Sequence, residues 1–170
     1  VGSEMCIRDS FRILLAYFLH LSPIYFLAIS QNFYGEAVMA WDSYLEKNQD
    51  RFVDELSAFI SIPSVSAADE HFQDVVKAGE WVVSKLQSIG ISNARLMKTQ
   101  THPVVYGDWL HTGDDKPTIL IYGHFDVQPA DPYELWDIQN FTPLVKDGKI
   151  YGRGASDDKG NMLAPLLASE

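Results

Sequence analysis

Residues 118–122, Thr-Ile-Leu-Ile-Tyr, form an uninterrupted run of β-favouring side chains between Pro117 and Gly123. No charged residue alternates through it, so it does not read as a strand with one face in water. It reads as a short strand buried on both faces. Such a strand needs cover above and below its sheet, which is the arrangement of an α/β layer fold. The run ends in Gly123-His124-Phe125-Asp126, so an imidazole and a carboxylate leave the expected strand end separated by one residue. Loops beyond the carboxyl ends of strands are where open α/β sheets bind ligands.

The surrounding sequence supplies the layers. Leu45, Phe52, Leu56, Phe59 and Ile60 recur mostly at helical spacing, with Asp42 or Ser43 able to cap the start and Pro63 placed to stop the pattern. A second helix is expected through residues 69–90, with Phe72, Val75, Val76, Val82, Val83 and Leu86 on one face and Gly90 as its stop. The period then changes. Short β-rich runs at 94–98, 103–110 and 117–123 are separated by turn signals, and a further strand is expected at 148–152 after the turn-forming Lys-Asp-Gly. Residues 158–169 again have helical character, with Pro165 requiring a first-turn position or a kink. The fold class is therefore α/β, a central sheet flanked by helices.

Charge and cysteine content narrow the chemistry. A net charge of −10 on 170 residues argues against nucleic acid and anionic membrane as main partners, because both require clustered Lys and Arg. Cys6 is the only cysteine, so there is no intramolecular disulfide and no thiolate metal site; a bound metal must take nitrogen and oxygen ligands.

Residues 11–30 are the most hydrophobic stretch and have three readings. The basic Arg12, the apolar middle and the small residues at the end suit a signal peptide. A membrane anchor is interrupted by His20 and Pro23. The third reading is a non-native segment, since the first ten residues resemble linker sequence translated at the ends of metagenomic reads. On that reading Met39 is the start, 1–38 is a leader or non-native segment, and 39–170 is the folded domain, cytoplasmic unless 11–30 is a genuine export signal. The final apolar helical pattern carries no stop signal, so the sequence reads as the N-terminal part of a longer protein.

A second polar loop, Gly152-Arg153-Gly154-Ala155-Ser156-Asp157-Asp158-Lys159-Gly160, also leaves an expected strand and enters a helix. The phosphate-binding spacing G-x-x-x-x-G-K-[ST] is absent, and two adjacent carboxylates suit a cation better than an anion. Taken singly, Asp157 or Asp158 is an ordinary helix cap and His124 an ordinary loop residue. Together the two loops open the alternative of a metal site.

"GHFDVQP", "LWD" and "YGRGASDDKG", together with "FISIPSVS", closely resemble the signatures of the M20 family of dinuclear zinc peptidases, from about Met39 to the end. "SDDKG" is more similar to the dipeptidase branch than to the deacetylase and desuccinylase branches. The resemblance implies two zinc ions, or other divalent metals in their place. It implies that His124 binds one metal, that Asp157 bridges both, and that Asp126 serves the catalytic centre by orienting the site and the His124 ring. A peptide bond in the cis form is implied between Asp157 and Asp158. Gly152 and Gly154 then let the turn bring Asp157 close, Arg153 braces the loop, and Trp136 packs against the loop.

The activity implied is zinc-dependent hydrolysis of dipeptides or short peptides. The alternatives are an N-acyl amino acid amidohydrolase, or a membrane-tethered relative without catalysis. The implied mechanism needs a shared water with its pKa lowered to about 7, and a Glu as general base. That Glu and the remaining ligands belong beyond residue 170, so residues 39–170 alone are expected to be inactive. The full-length protein is expected to be a homodimer acting on small peptides. His71, His102 and His111 read as structural or solvent-facing, Trp81 as core. Phe141 lacks the proline that usually precedes it in the family.

Overall fold

A computed structural model describes the backbone of residues 23–170 and the side chains of residues 41–170. Expectations for residues 1–22, including the first part of the apolar stretch 11–30, lie outside the described residues. No helix among the described residues is long and apolar enough to cross a membrane.

Helix α1 (Pro23–Ile60) carries the expected stripe. Phe52, Leu56, Phe59 and Ile60 are buried, at spacings that place them on one side of the helix. Asp42 and Ser43 are not its start, because the backbone is already helical from Pro23. Its end falls where the sequence places it. Pro63 has no N–H to return to the carbonyl of Phe59, so the helix stops at Ile60 and that carbonyl takes the Ile62 N–H at 3.3 Å instead.

A short 3₁₀ turn, Asp69–His71, leads into α2 (Phe72–Ser88). Its buried face is Val75, Ala78, Gly79, Val82, Lys85 and Leu86. Phe72 is exposed, and Val76 and Val83 are only half-buried. Residues 75 and 76 stand about 100° apart on a helix, so one narrow face cannot hold both. Gly90, at φ +80°, ends the segment in the left-handed region that favours glycine.

Strands β1 (Ser92–Met97) and β2 (Val104–Asp108) pair antiparallel, with Arg95 opposite Tyr106 and Met97 opposite Val104. Strands β3 (Leu144–Lys146) and β4 (Lys149–Tyr151) form a hairpin whose two turn residues, Asp147 and Gly148, both have positive φ. That is the turn geometry that matches the twist of a tight hairpin. Helix α3 (Lys159–Leu167) follows, with Pro165 near its carboxyl end. Phe59, Ile60, Ala78, Val82, Ile150 and Leu163 share one core, and Trp81 stacks on Phe59 at 4.3 Å between ring centroids.

The class is mixed α/β. The run 118–122, however, is not the doubly buried strand expected. Ile119 is 66% and Leu120 89% exposed, and the run has no ladder partner among the described residues. Burial of a strand on both faces is conferred by flanking strands and helices, and the described sheets are two separate antiparallel pairs.

Candidate metal centre

The end of α1 and the six residues after it form the floor under the first polar loop. Val65 and Val127 make a parallel bridge, and the Val127 N–H donates to the Ser64 carbonyl at 2.9 Å. The buried Ser64 hydroxyl donates to the Phe125 carbonyl at 2.6 Å. These contacts fix the backbone on both sides of Asp126.

The second loop comes in over the same floor. A side chain at Gly152 would meet Ile60 at 2.8 Å, and one at Gly154 would meet Val127 at 2.7 Å, so glycine is what permits the approach. Gly154 also has φ +91°. The Asp157–Asp158 peptide bond is cis, as the resemblance implies. Asp158 stands at the N-cap position of α3, yet its side chain makes no cap hydrogen bond. Its Oδ2 instead accepts the backbone N–H of His124 at 3.2 Å. The ordinary capping alternative therefore fails for Asp158, whose carboxylate ties the two loops together.

His124 is held on both ring nitrogens. Nε2 lies 3.0 Å from Asp157 Oδ1. Nδ1 lies 3.1 Å from the Asp126 carbonyl and 3.2 Å from Asp126 Oδ1. Burial pulls the imidazole pKa down, but the Asp126 carbonyl and carboxylate, with Asp158 and Asp157, outweigh it and hold the pKa above its ordinary value. The other oxygen of Asp126 accepts the Ser66 hydroxyl at 2.5 Å. Asp157 is the open side, its side chain 77% exposed.

This donor chemistry fits zinc. An imidazole nitrogen and a carboxylate oxygen are among its ordinary ligands, and a carboxylate on the second imidazole nitrogen is the usual outer partner. The set is partial, since no group of three or more His, Cys, Asp or Glu among the described residues is placed to hold a metal.

Sequence reasoning misses Lys159. Its side chain is fully buried, and Nζ donates to the carbonyls of Phe59 at 2.9 Å and Ile62 at 2.6 Å. The ammonium also lies 5.0 Å from the Phe59 ring centroid. Burial pushes its pKa down to about 7, opposed by the charges of Asp126 and Asp74. No local sequence signal marks it, since the Phe59 carbonyl already accepts the Ile62 N–H at 3.3 Å. Ser64 and Ser66 lie within "FISIPSVS", where nothing in the sequence itself gives either a role.

The other named residues are placed as expected. His71 pairs with Asp74, His102 with the Ser66 carbonyl, and His111 with Ser92. Trp136 donates to the Ala130 carbonyl and carries the Arg153 guanidinium over its ring, so Arg153 does brace the loop.

Fold and site define a mixed α/β domain that presents a His–carboxylate pair where two loops meet. Residues 120–170 match Peptidase family M20/M25/M40. The chain is 37% identical to the Cys-Gly metallodipeptidase dug1 of Schizosaccharomyces pombe, an alignment covering 74% of this chain and 28% of that protein. It is 36% identical to the cysteinylglycine-S-conjugate dipeptidase of Corynebacterium striatum, covering 73% of this chain and 27% of that protein. Among solved structures, the M20 family metallo-carboxypeptidase Sso-CP2 of Sulfolobus solfataricus superposes with a TM-score of 0.63 at 36% identity, over 69% of this chain and 26% of that one. The family match thus lies over residues 120–170, and the chain, similar to these relatives over 69–74% of its own length, spans between a quarter and a third of theirs.

Proposed function

We propose that the protein carrying this chain hydrolyses dipeptides or short peptides at a centre of two zinc ions, with His124 and Asp157 as ligands. The observation that carries the reading is the division of the His124 ring: Asp126 occupies Nδ1, and Nε2 points at the exposed Asp157 carboxylate. With Nδ1–H donated to Asp126, Nε2 keeps the lone pair that a metal requires. Asp157 has two oxygens and so can serve two ions. Asp126 fixes the tautomer and the ring plane. Bound zinc supplies Lewis acidity and lowers the pKa of water to about 7.

Two relatives named as dipeptidases support the substrate class. The whole protein is proposed to be a homodimer, and to be cytoplasmic unless residues 11–30 are a genuine export signal. The test is zinc content and dipeptide hydrolysis in the full-length polypeptide. Asp157→Ala is expected to lose both ions together and all measurable activity. Unchanged zinc binding would sink the bridging role.

A further inference from the structure

We propose that residues 59–66 are the alignment platform of this centre, with Lys159 and Ser66 as positioning residues that set the Asp157 and Asp126 carboxylates against His124. The inference rests on the zinc reading above and concerns residues to which that reading gives no part.

Both loops are tied to this one short segment. The His124 loop is gripped through Ser64, Val65 and Ser66. The Asp157 loop is gripped through Lys159, two residues beyond the carboxylate it serves, on the carbonyls of Phe59 and Ile62. The His124–Asp157 distance of 3.0 Å is thus fixed by a common anchor rather than by contact between two exposed loops alone.

The choice of side chain supports this. Lys159 is fully buried and makes no ion pair within salt-bridge distance among the described residues, so its charge faces carbonyl dipoles and an aromatic ring. An apolar side chain of that length would fill the slot without the desolvation cost of an ammonium. What it could not do is bond two carbonyls at the end of α1 while standing at the first residue of α3. Ser66 acts on the other carboxylate. Its bond to Oδ2 leaves Oδ1 of Asp126 turned toward the His124 ring.

The experiment compares zinc affinity, by competition with a chelator, with thermal midpoint and steady-state kinetics in the full-length polypeptide. Lys159→Met and Ser66→Ala are expected to weaken zinc binding about 10–100-fold, the range for outer partners of metal ligands. In both, kcat should fall more than KM rises. Ser66→Thr, which keeps the hydroxyl, should restore affinity. Leu86→Ala is the control, a core truncation on the side of α2 that faces Gly107 in β2. It should lower the thermal midpoint and leave zinc affinity within about twofold, a margin small beside the effect expected of an outer partner.

If Lys159→Met and Ser66→Ala track the control, losing stability but no zinc affinity, the platform is only structural and the proposal is overturned. Should Lys159→Met fail to fold, Ser66→Ala alone decides, and unchanged affinity there overturns it. Absence of zinc from the unaltered protein would remove the function proposed above and this inference with it, a failure recognisable before any variant is made.

Discussion

Ser64 shows how much can hang on one hydroxyl. It is fully buried, and its 2.6 Å bond satisfies the carbonyl of Phe125, between His124 and Asp126. Ser64→Ala removes the donor and leaves a half-buried carbonyl unpaired, which costs about 1 kcal/mol, the low end of the range for a buried group. Urea denaturation should show a lower midpoint at an unchanged slope; an unchanged midpoint would mean that the carbonyl finds another donor. Glu170 offers a pH-dependent counterpart. Hydrogen bonds from Arg51 above all, then Lys85 and Tyr44, hold its carboxyl down to about 2 against partial burial. The folded pKa lies below the unfolded one, so this stabilisation is complete above the ordinary 4.5 and is lost as pH falls towards 2. The stability of the chain and of Glu170→Gln should differ most at neutral pH and converge near pH 2. Parallel acid-denaturation curves would remove Glu170 from the account.

At the level of elements, two glycines with positive φ make opposite predictions about space. Gly148 in the β3–β4 turn has φ +73° and nothing within 4 Å of where a Cβ would stand, whereas Gly154 has φ +91° and Val127 at 2.7 Å. Gly148→Ala should cost about 1 kcal/mol, the strain of the left-handed backbone alone. Gly154→Ala adds a clash beneath the metal loop and should cost about 2–3 kcal/mol by overpacking, with the larger loss seen in thermal unfolding. Equal losses would mean that the loop yields without resistance. The same contrast separates what is legible in the sequence from what is not. The ends of α1 and α2, the hairpin turn and the loops bearing His124 and Asp157 are written in neighbouring residues: a periodic stripe, Pro63, Gly90, Asp147-Gly148. The start of α1 is not legible, because Asp42 and Ser43 can cap a helix but also sit inside one. Lys159, Ser64 and Ser66 acquire their roles only when segments 60 to 100 residues apart meet, as Ser66 with Asp126 and Lys159 with Phe59. No local pattern announces such a meeting.

For the molecule as a whole, the decisive feature is the run 118–122. Its composition is that of an interior strand, yet Ile119, Leu120, Ile121 and Tyr122 stand exposed, as do Trp109 and Leu110 earlier in the same chain stretch. A β-favouring run with free backbone groups and apolar side chains is a template for pairing with another chain. The 170-residue chain by itself should therefore bind a hydrophobic dye and sediment as a concentration-dependent mixture. Leu120 is the most exposed of these side chains, at 89%, so its replacement should not disturb the core. Leu120→Lys places a charge in the middle of the run and should reduce both dye binding and association, with stability changed by no more than about 0.5 kcal/mol, as for an ordinary surface site. If the Leu120→Lys chain associates as strongly as the unaltered one, the contact lies elsewhere. If stability instead drops by about 2 kcal/mol or more, the scale of a core truncation, Leu120 is packed in solution, and the run is interior after all.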